Sequence, residues 1–357
     1  IRCTTMPRLD ATAASGFTDE QLTATENDRR RQLLTTSVQS SEGKMNPMVQ
    51  FHTSSDPHAR SCHTPVLSEE EAVAEEQQMT HLLNQRKKES KMYVQSTQID
   101  VYFHIITTTA GGHSVTDQQL TDQLTAMNAA YSSSGFTFVE VGRDTISNNA
   151  WSTDLTYGSD EEVNMKTALR KGDGKTLNFY TADLAGGLLG WATFPSSYGK
   201  QPVMDGIVNA YWSLPGASDG NYGLGMTAVH EVGHWLGLYH TFQGGCGGKG
   251  DLVDDTPAVK DPNFGCPGPV KSCINRDVGQ NDMTWNFMDY TDDACMNAFT
   301  NGQSTRMLDQ FNTYRLDAPC AINCVNSPTP PPTIAPLILD STRDRGSQGW
   351  WVKMWNR

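Results

Sequence analysis

Hydrophobic and polar positions fall into regular periods from about residue 97 onward and show none before about residue 60. Ile99, Val101, Phe103 and Ile105 alternate with other side chains, which is the period of a strand. Thr116 then caps a helix with Leu120, Leu124, Met127 and Tyr131 on one face, closed by Gly135. Phe136 to Val141 reads as a second strand. Ser159 with Glu162 caps a further helix, which runs through Arg170 and stops at Gly172. Leu177 to Tyr180 makes a third strand and Val203 to Trp212 a fourth. Strands alternating with helices in this order imply a mixed sheet backed by helices.

Outside that region the periods change. Ser68 with Glu71 forms a capping box, acids crowd the turns that follow, and Arg86-Lys87-Lys88 sits at the far end, so a helix is expected there. The basic run also suits cleavage by a trypsin-like protease. After His240 regularity gives way to Gly, Pro, Asp and Cys until about Thr300, where Asn301 to Arg315 resumes a helical period through Met307, Phe311 and Tyr314. Residues 1–60 are rich in Thr, Ser, Gln and charge and are expected to be disordered. The same holds for the tail, residues 321–357, with its Pro-Thr-Pro-Pro-Pro run.

Composition narrows the setting. The 357 residues suffice for one large domain or two small ones, and a hydrophobic content of 37% is low enough to suggest that part of the chain is not packed. A net charge of -13 would repel nucleic acid and anionic membranes, so neither is an expected partner. No apolar run reaches the roughly 18 to 20 residues that span a bilayer. Cys246, Cys266, Cys273 and Cys295 share one loop-rich stretch with spacings unlike a zinc ribbon, and are read as two disulfides. An oxidising compartment follows: the chain is expected to be secreted and extracellular, and a monomer. Four cysteines allow three pairings, and the residues alone do not choose among them.

The chemistry lies in His230-Glu231-Val232-Gly233-His234-Trp235-Leu236-Gly237-Leu238-Tyr239-His240. Positions four apart on a helix share a face, so His230 and His234 can present imidazoles to one ion. Gly237 permits a backbone conformation that lets the helix end sharply, and the turn brings His240 round as a third ligand. Three protein ligands leave one tetrahedral corner of a zinc ion open, the arrangement of a catalytic site. Water held there has its pKa lowered to about 7, and Glu231 lies beside it as the general base for attack on a peptide carbonyl. A bare His-Glu-x-x-His occurs by chance in roughly one chain in a hundred of this length. The added Gly and His at fixed offsets make three incidental core histidines a poor alternative.

His-Glu-x-x-His-x-x-Gly-x-x-His is the metzincin signature, and Asn286-Phe287-Met288-Asp289-Tyr290 fits the methionine turn that metzincins place beneath the metal. The run from Thr227 through the four-cysteine loop to Cys295 resembles the pappalysin group, and within it the small fungal and archaeal extracellular metalloproteases of the cytophagalysin type. The helix with Arg306-Met307 is similar too, so the resemblance covers about residues 90–320. It implies an α+β metzincin fold: a mixed, mostly parallel twisted sheet with backing and active-site helices, and an irregular disulfide-stapled C-terminal subdomain. The catalytic domain would be residues 89–320, with an upper part to about 240 and a lower part over 241–320.

The resemblance also assigns roles. Met288 would floor the zinc, and Tyr290 would donate a hydrogen bond at the metal or the oxyanion. The disulfides would join Cys246 to Cys273 and Cys266 to Cys295. Relatives bind calcium in the disulfide loop; here Asp251, Asp254 and the Thr256 carbonyl are the candidate ligands. An acidic turn holding no ion is the alternative. Pro-forms of this group block the metal with a cysteine, and Arg60-Ser61-Cys62-His63-Thr64 is similar to that element. Residues 61–88 would then be a pro-segment, with Cys62 as a zinc ligand in the latent form. His63 stands where a glycine is usual, and the alternative for Cys62 is a disulfide to Cys3, Cys320 or Cys324. Some relatives favour a basic residue after the cut through an acid beside the cysteine that follows the methionine turn; this chain has Ala294 at that position, with Asp292 and Asp293 nearby.

The expected activity is zinc-dependent hydrolysis of peptide bonds in proteins or peptides, bound as an added strand along Gly187 to Phe194 or Val203 to Trp212. Two other readings stand beside it. One is a catalytically silent zinc-binding or inhibitory module, against which Glu231 argues. The other is an astacin-like or reprolysin-like branch, which the four-cysteine loop disfavours.

Overall fold

Thr97–Thr107 and Phe136–Ser147 form the longest parallel pair among the described residues, running from Thr97 opposite Phe136 to Thr107 opposite Ser147 with a one-residue shift of register between Val101 and Tyr102. The computed structural model describes residues 60–217, 220–276 and 280–318, together with the backbone of 50–52. The expectations for the rest of the N-terminal segment, for the Pro-rich tail and for Cys3, Cys320 and Cys324 lie outside these residues.

Seven strands make one sheet: β1 (Gln50–His52), β2 (Cys62–Val66), β3 (Thr97–Thr107), β4 (Phe136–Ser147), β5 (Thr176–Ala182), β6 (Gly190–Ala192) and β7 (Ile207–Ala210). Their order is β1-β2-β6-β7-β5-β3-β4. The pairs β3–β4, β3–β5, β5–β7 and β2–β6 are parallel, while β6–β7 and β1–β2 are antiparallel. The sheet is therefore mixed and mostly parallel. Strand β5 is buried along its whole length, as suits a parallel strand covered on both faces.

Among the described residues five helices of ten or more residues accompany the sheet: α1 (Glu69–Lys88), α2 (Asp117–Ala130), α3 (Asp160–Leu169), α4 (Met226–Trp235) and α5 (Asn301–Gln310), with one further short turn of helix over Asn149–Ser152. One face of the sheet, through Val101, Phe103, Ile105 and Phe179, packs on Met127 and Tyr131 of α2 or its end, and on Val229, Val232 and Trp235 of α4. The opposite face packs Ile106, Tyr180 and Val208 against Leu155, Met165 and Trp191. Thr116 caps α2 and Ser68 caps α1 with both halves of a capping box in place.

The structure revises some limits. The strand expected over Val203 to Trp212 is only β7, because Pro202–Met204 forms a 3₁₀ turn and Gly206 has φ +130° with its Cα against the Asn178 carbonyl. The edge expected over Gly187 to Phe194 is likewise shorter, only the three residues of β6, because Ala185–Gly187 forms a 3₁₀ turn before it and Pro195–Ser197 another after it. Strand β6 lies between β2 and β7, so it becomes the sheet edge once β2 is set apart. The helical period expected to Arg315 holds as α5 to Gln310, followed by one π-helical turn over Phe311–Arg315. Arg315 in that turn binds Asp205, donates to the Trp235 carbonyl and stacks 3.7 Å above the Trp235 ring, which ties the C-terminal helix to the end of α4.

Candidate metal centre

Helix α4 starts at Gly225 and is buried along its length. His230 and His234, one turn apart, face the same side. The helix ends where the Leu238 amide reaches back to the Gly233 carbonyl and Gly237 takes φ +97°. A Cβ at Gly237 would stand 2.4 Å from Cγ of Gln310, so the position needs glycine for space as well as for its dihedral. The chain then reverses and delivers His240.

The three Nε2 atoms lie close together: 3.2 Å between His230 and His240, 3.2 Å between His230 and His234, and 3.0 Å between His234 and His240. Nδ1 of His230 donates to the Phe287 carbonyl and Nδ1 of His234 to the Leu238 carbonyl, both at 2.7 Å. With the proton on Nδ1, each Nε2 carries a lone pair. Burial holds both rings neutral, lowering His234 to about 4 and His230 well below its usual range. Converging lone pairs repel one another without a cation between them. A tetrahedral zinc with Zn–N of about 2.0–2.1 Å sets its nitrogens about 3.3 Å apart, close to what the histidines offer. The donor set fits zinc.

The floor is Met288, fully buried. Its amide is held by the Asn286 side chain at 2.9 Å, and Asn286 pairs its amide reciprocally with Gln303 at 2.8 and 3.0 Å. The Tyr290 ring lies 5.1 Å from that of His240, and burial pushes its phenol well above the ordinary value, so it remains a proton donor.

The fourth side is filled by the chain itself. Cys62 is a free buried thiol, and its Sγ lies with the three Nε2 atoms in one cluster within 4.8 Å. Burial, then the Glu231 carboxylate, raise that thiol's pKa well above normal. Glu231 Oε2 accepts from Cys62 Sγ at 3.4 Å and from the Thr64 hydroxyl at 3.1 Å. Burial raises Glu231 to about 8, against the opposing pull of those two hydrogen bonds and of Arg60. Tyr290 joins the same segment, accepting from the Cys62 amide at 3.2 Å. Gly190 makes room for this carboxylate, since a Cβ there would stand 2.9 Å from Glu231 Cγ.

Arg60 and Asp293 are the residues that sequence reasoning did not connect. Arg60 is buried and ion-paired with Asp293, donates to the Thr291 carbonyl at 3.1 Å and lies 5.0 Å over the Tyr222 ring. Asp293 also accepts from the Leu224 and Met226 amides at 2.9 and 3.3 Å, at the start of α4. Arg60 thus lies in the same cleft as Cys62, held by Asp293 at one end of it. Arg60 and Cys62 stand two apart, the spacing of one face of a strand.

Cys246 is joined to Cys273, and Cys266 to Cys295. Asp251 is buried; one oxygen accepts from the Thr256 hydroxyl at 2.6 Å and the Val253 amide at 3.2 Å, while Oδ2 has no partner. Burial raises this carboxyl to about 7. Asp254 lies in the same loop and is exposed. Leu67, Ala72 and Glu75 of the N-terminal segment pack on Phe194, Tyr239 and Leu252 beside the metal cluster.

Residues 164–312 match the family model described as pregnancy-associated plasma protein-A. An extracellular metalloprotease of Pyricularia oryzae is 46% identical over 221 residues, spanning 61% of this chain and 76% of that protein. Extracellular metalloprotease 1 of Coccidioides posadasii is 40% identical over 223 residues, 61% and 78% of the two chains. Among solved structures, a promirolysin of Tannerella forsythia superposes with TM-score 0.59 at 29% identity, covering 72% of this chain and 95% of that one. Mature mirolysin in complex with a cleaved peptide gives 0.52 at 29% identity, with 62% and 93% covered. With its histidine cluster, methionine turn and stapled loop, the chain belongs to the pappalysin family of metzincins and is a zinc metalloendopeptidase.

Proposed function

We propose that the chain is the latent precursor of a secreted endopeptidase, with His230, His234 and His240 as zinc ligands, Glu231 as general base and Cys62 as the group that blocks the site. One observation carries this reading: three Nε2 atoms converge within 3.2 Å while the Glu231 carboxylate and the Cys62 thiol share their open side. Bound zinc supplies a Lewis acid that acidifies water and polarises a carbonyl. In the latent chain Cys62 Sγ and the three imidazoles would hold the ion together, leaving no position for water.

Once residues 60–88 leave, Glu231 Oε2 loses the Thr64 and Cys62 hydrogen bonds. It can then take a proton from the attacking water and pass it to the departing amide nitrogen. The Tyr290 hydroxyl, released from Cys62, is free to donate to the oxygen that gains charge. A substrate would pair with the β6 edge, where the Ala192 amide now donates to Thr64 Oγ1 at 2.8 Å. The buried Asp293 suits a basic side chain of the substrate, since a guanidinium already sits on it. The longer match to promirolysin, 72% of this chain against 62% for mature mirolysin, supports a pro-segment ahead of the catalytic domain. Relatives named extracellular metalloproteases and the disulfides support secretion. Among the described residues no helix is long and apolar enough to cross a membrane.

The decisive experiment is casein hydrolysis before and after limited trypsin treatment, with and without a zinc chelator. Activity should appear on nicking, vanish with the chelator and be absent from Glu231→Ala that still carries zinc. An active Glu231→Ala enzyme would end the reading. For calcium, the buried unpartnered Asp251 Oδ2 beside Asp254 and Thr256 supports a site in this loop. Removing calcium should lower the Tm with zinc retained; an unchanged Tm would remove that ion from the picture.

A further inference from the structure

The segment that fills the cleft is asymmetric in charge. It enters with Arg60 on Asp293, passes the metal cluster at Cys62, runs along β6 as β2, and then turns into α1. On this far side its contacts are of the opposite sign. Glu75 of α1 accepts from the Ser196 hydroxyl at 2.9 Å and the Tyr239 hydroxyl at 3.3 Å, and also feels the charges of Lys200 and Arg306. Glu76 is ion-paired with Arg306. Leu67 and Ala72 lie against Phe194, Tyr239 and Leu252, an apolar floor beside those donors.

Arg306 is set up to hold a carboxylate. Its Nε donates to the Gly237 carbonyl at 2.9 Å and its guanidinium lies 4.9 Å over the Tyr239 ring, which fixes the plane of the group. One terminal nitrogen meets Glu76, and the other, NH2, is buried with no partner. When α1 departs, a positioned cation and two hydroxyl donors remain beside an apolar floor.

We propose that Arg306, Ser196 and Tyr239 form a second recognition site of the mature enzyme, which takes an acidic side chain of the polypeptide substrate. This rests on the proposed release of residues 60–88. Along the segment the two sites fall on opposite sides of the histidine cluster: Arg60 on Asp293 comes before Cys62, and Glu75 and Glu76 on Tyr239, Ser196 and Arg306 come after it. A substrate whose basic side chain sits on Asp293 must therefore present its acid on the other side of the cut bond. The favoured substrate class is a segment with a basic residue on one side of the cut and, beyond apolar residues, an acidic one on the other. The pro-segment carries the same order of charges and so occupies both sites at once.

The test uses the full chain nicked by trypsin, with release of the N-terminal segment followed by mass. Fluorogenic peptides keep one Arg and carry Glu, Gln or Lys, walked position by position on both sides of the cut. Glu peptides should be cleaved with kcat/KM about fivefold above their Gln counterparts, on the side away from the Arg only, the size expected of a part-exposed charge pair with good geometry. Lys peptides should be poorer than Gln. In Arg306→Gln the Glu-to-Gln ratio should fall toward one. Because Arg306 also supports the Gly237 turn, zinc content is measured alongside, and Ser196→Ala, which leaves that turn untouched, should lower the same ratio. An active enzyme with a ratio near one at every position overturns the second site and leaves the zymogen reading standing. A nicked chain that keeps its N-terminal segment and stays inactive overturns both, since the site then never opens.

Discussion

Gly233 and Met288 are in direct contact beneath the histidines: a Cβ on Gly233 would stand 2.4 Å from the Met288 sulfur. The glycine just before His234 therefore does more than tolerate a helix. It lets the methionine turn approach the backbone of α4 between the two histidines on that helix.

Gly233→Ala sets two effects against each other. Replacing a helical glycine with alanine gains about 1 kcal/mol of propensity. Overpacking a filled core costs about 1–3 kcal/mol, and Met288, with no exposed surface, has nowhere to go. The clash should win. We expect a lower Tm and weaker zinc retention, both partly restored by adding Met288→Ala. Thermal unfolding and metal analysis of the two single variants and the double variant measure this coupling. Additive effects would show that the contact does not constrain the site.

Asp293→Ala should destabilise the latent chain severely. It leaves the Arg60 guanidinium buried and unpaired, and breaking a buried pair this way costs about 3–5 kcal/mol. The nicked enzyme, from which Arg60 has gone, should be affected much less in stability and should instead lose discrimination in favour of basic side chains. Denaturant unfolding of both forms makes the comparison. Equal losses in the two would mean that Asp293 acts chiefly as the cap on the Leu224 and Met226 amides.

What could be read in advance follows the physics of each element. The strand alternation around Phe103, the capping boxes at Ser68 and Thr116 and the histidine spacing are local signals, and each marks its element within a few residues. The limits of β6 and β7 inside the longer stretches expected for them are not local signals: three residues show no period of their own, and Pro202 and Gly206 look like strand neighbours although a 3₁₀ turn and the Asn178 carbonyl exclude them from β7. Arg60 on Asp293 joins residues 233 positions apart, and no pattern along the chain announces it. The disulfide pairing was implied by family resemblance, since four cysteines alone permit three arrangements.

Removing the Cys266–Cys295 bridge by a double Cys→Ser substitution should cost about 3–4 kcal/mol, the chain-entropy value for a loop of this length. The bridge lies just after the methionine turn, with Cys295 two residues from Asp293. Its loss should therefore lower activity on substrates with a basic residue more than it lowers zinc content. Metal analysis with peptide assays of the reduced-loop variant tests the order of these losses, and loss of zinc first would reverse it.

Latency has two locks on the same carboxylate, and they should be separable. Cys62→Ala opens a position at the metal cluster but leaves the Thr64 hydroxyl on Glu231 at 3.1 Å and Arg60 seated on Asp293. The uncleaved Cys62→Ala chain should therefore leak only a small fraction of the nicked enzyme's activity. Adding Thr64→Val removes the hydroxyl that joins Glu231 to the Ala192 amide, so Glu231 and the β6 edge are freed together. The leak should then rise by about tenfold to a hundredfold, as expected when a hydrogen bond to a charged group, worth about 1.5–3 kcal/mol, is lost. Peptide hydrolysis by uncleaved chains, checked for integrity by mass, reads the difference. Cys62→Ala as silent as the wild-type precursor, with the double variant no better, would mean that the thiol does not guard the site and that occupation of the cleft alone maintains latency.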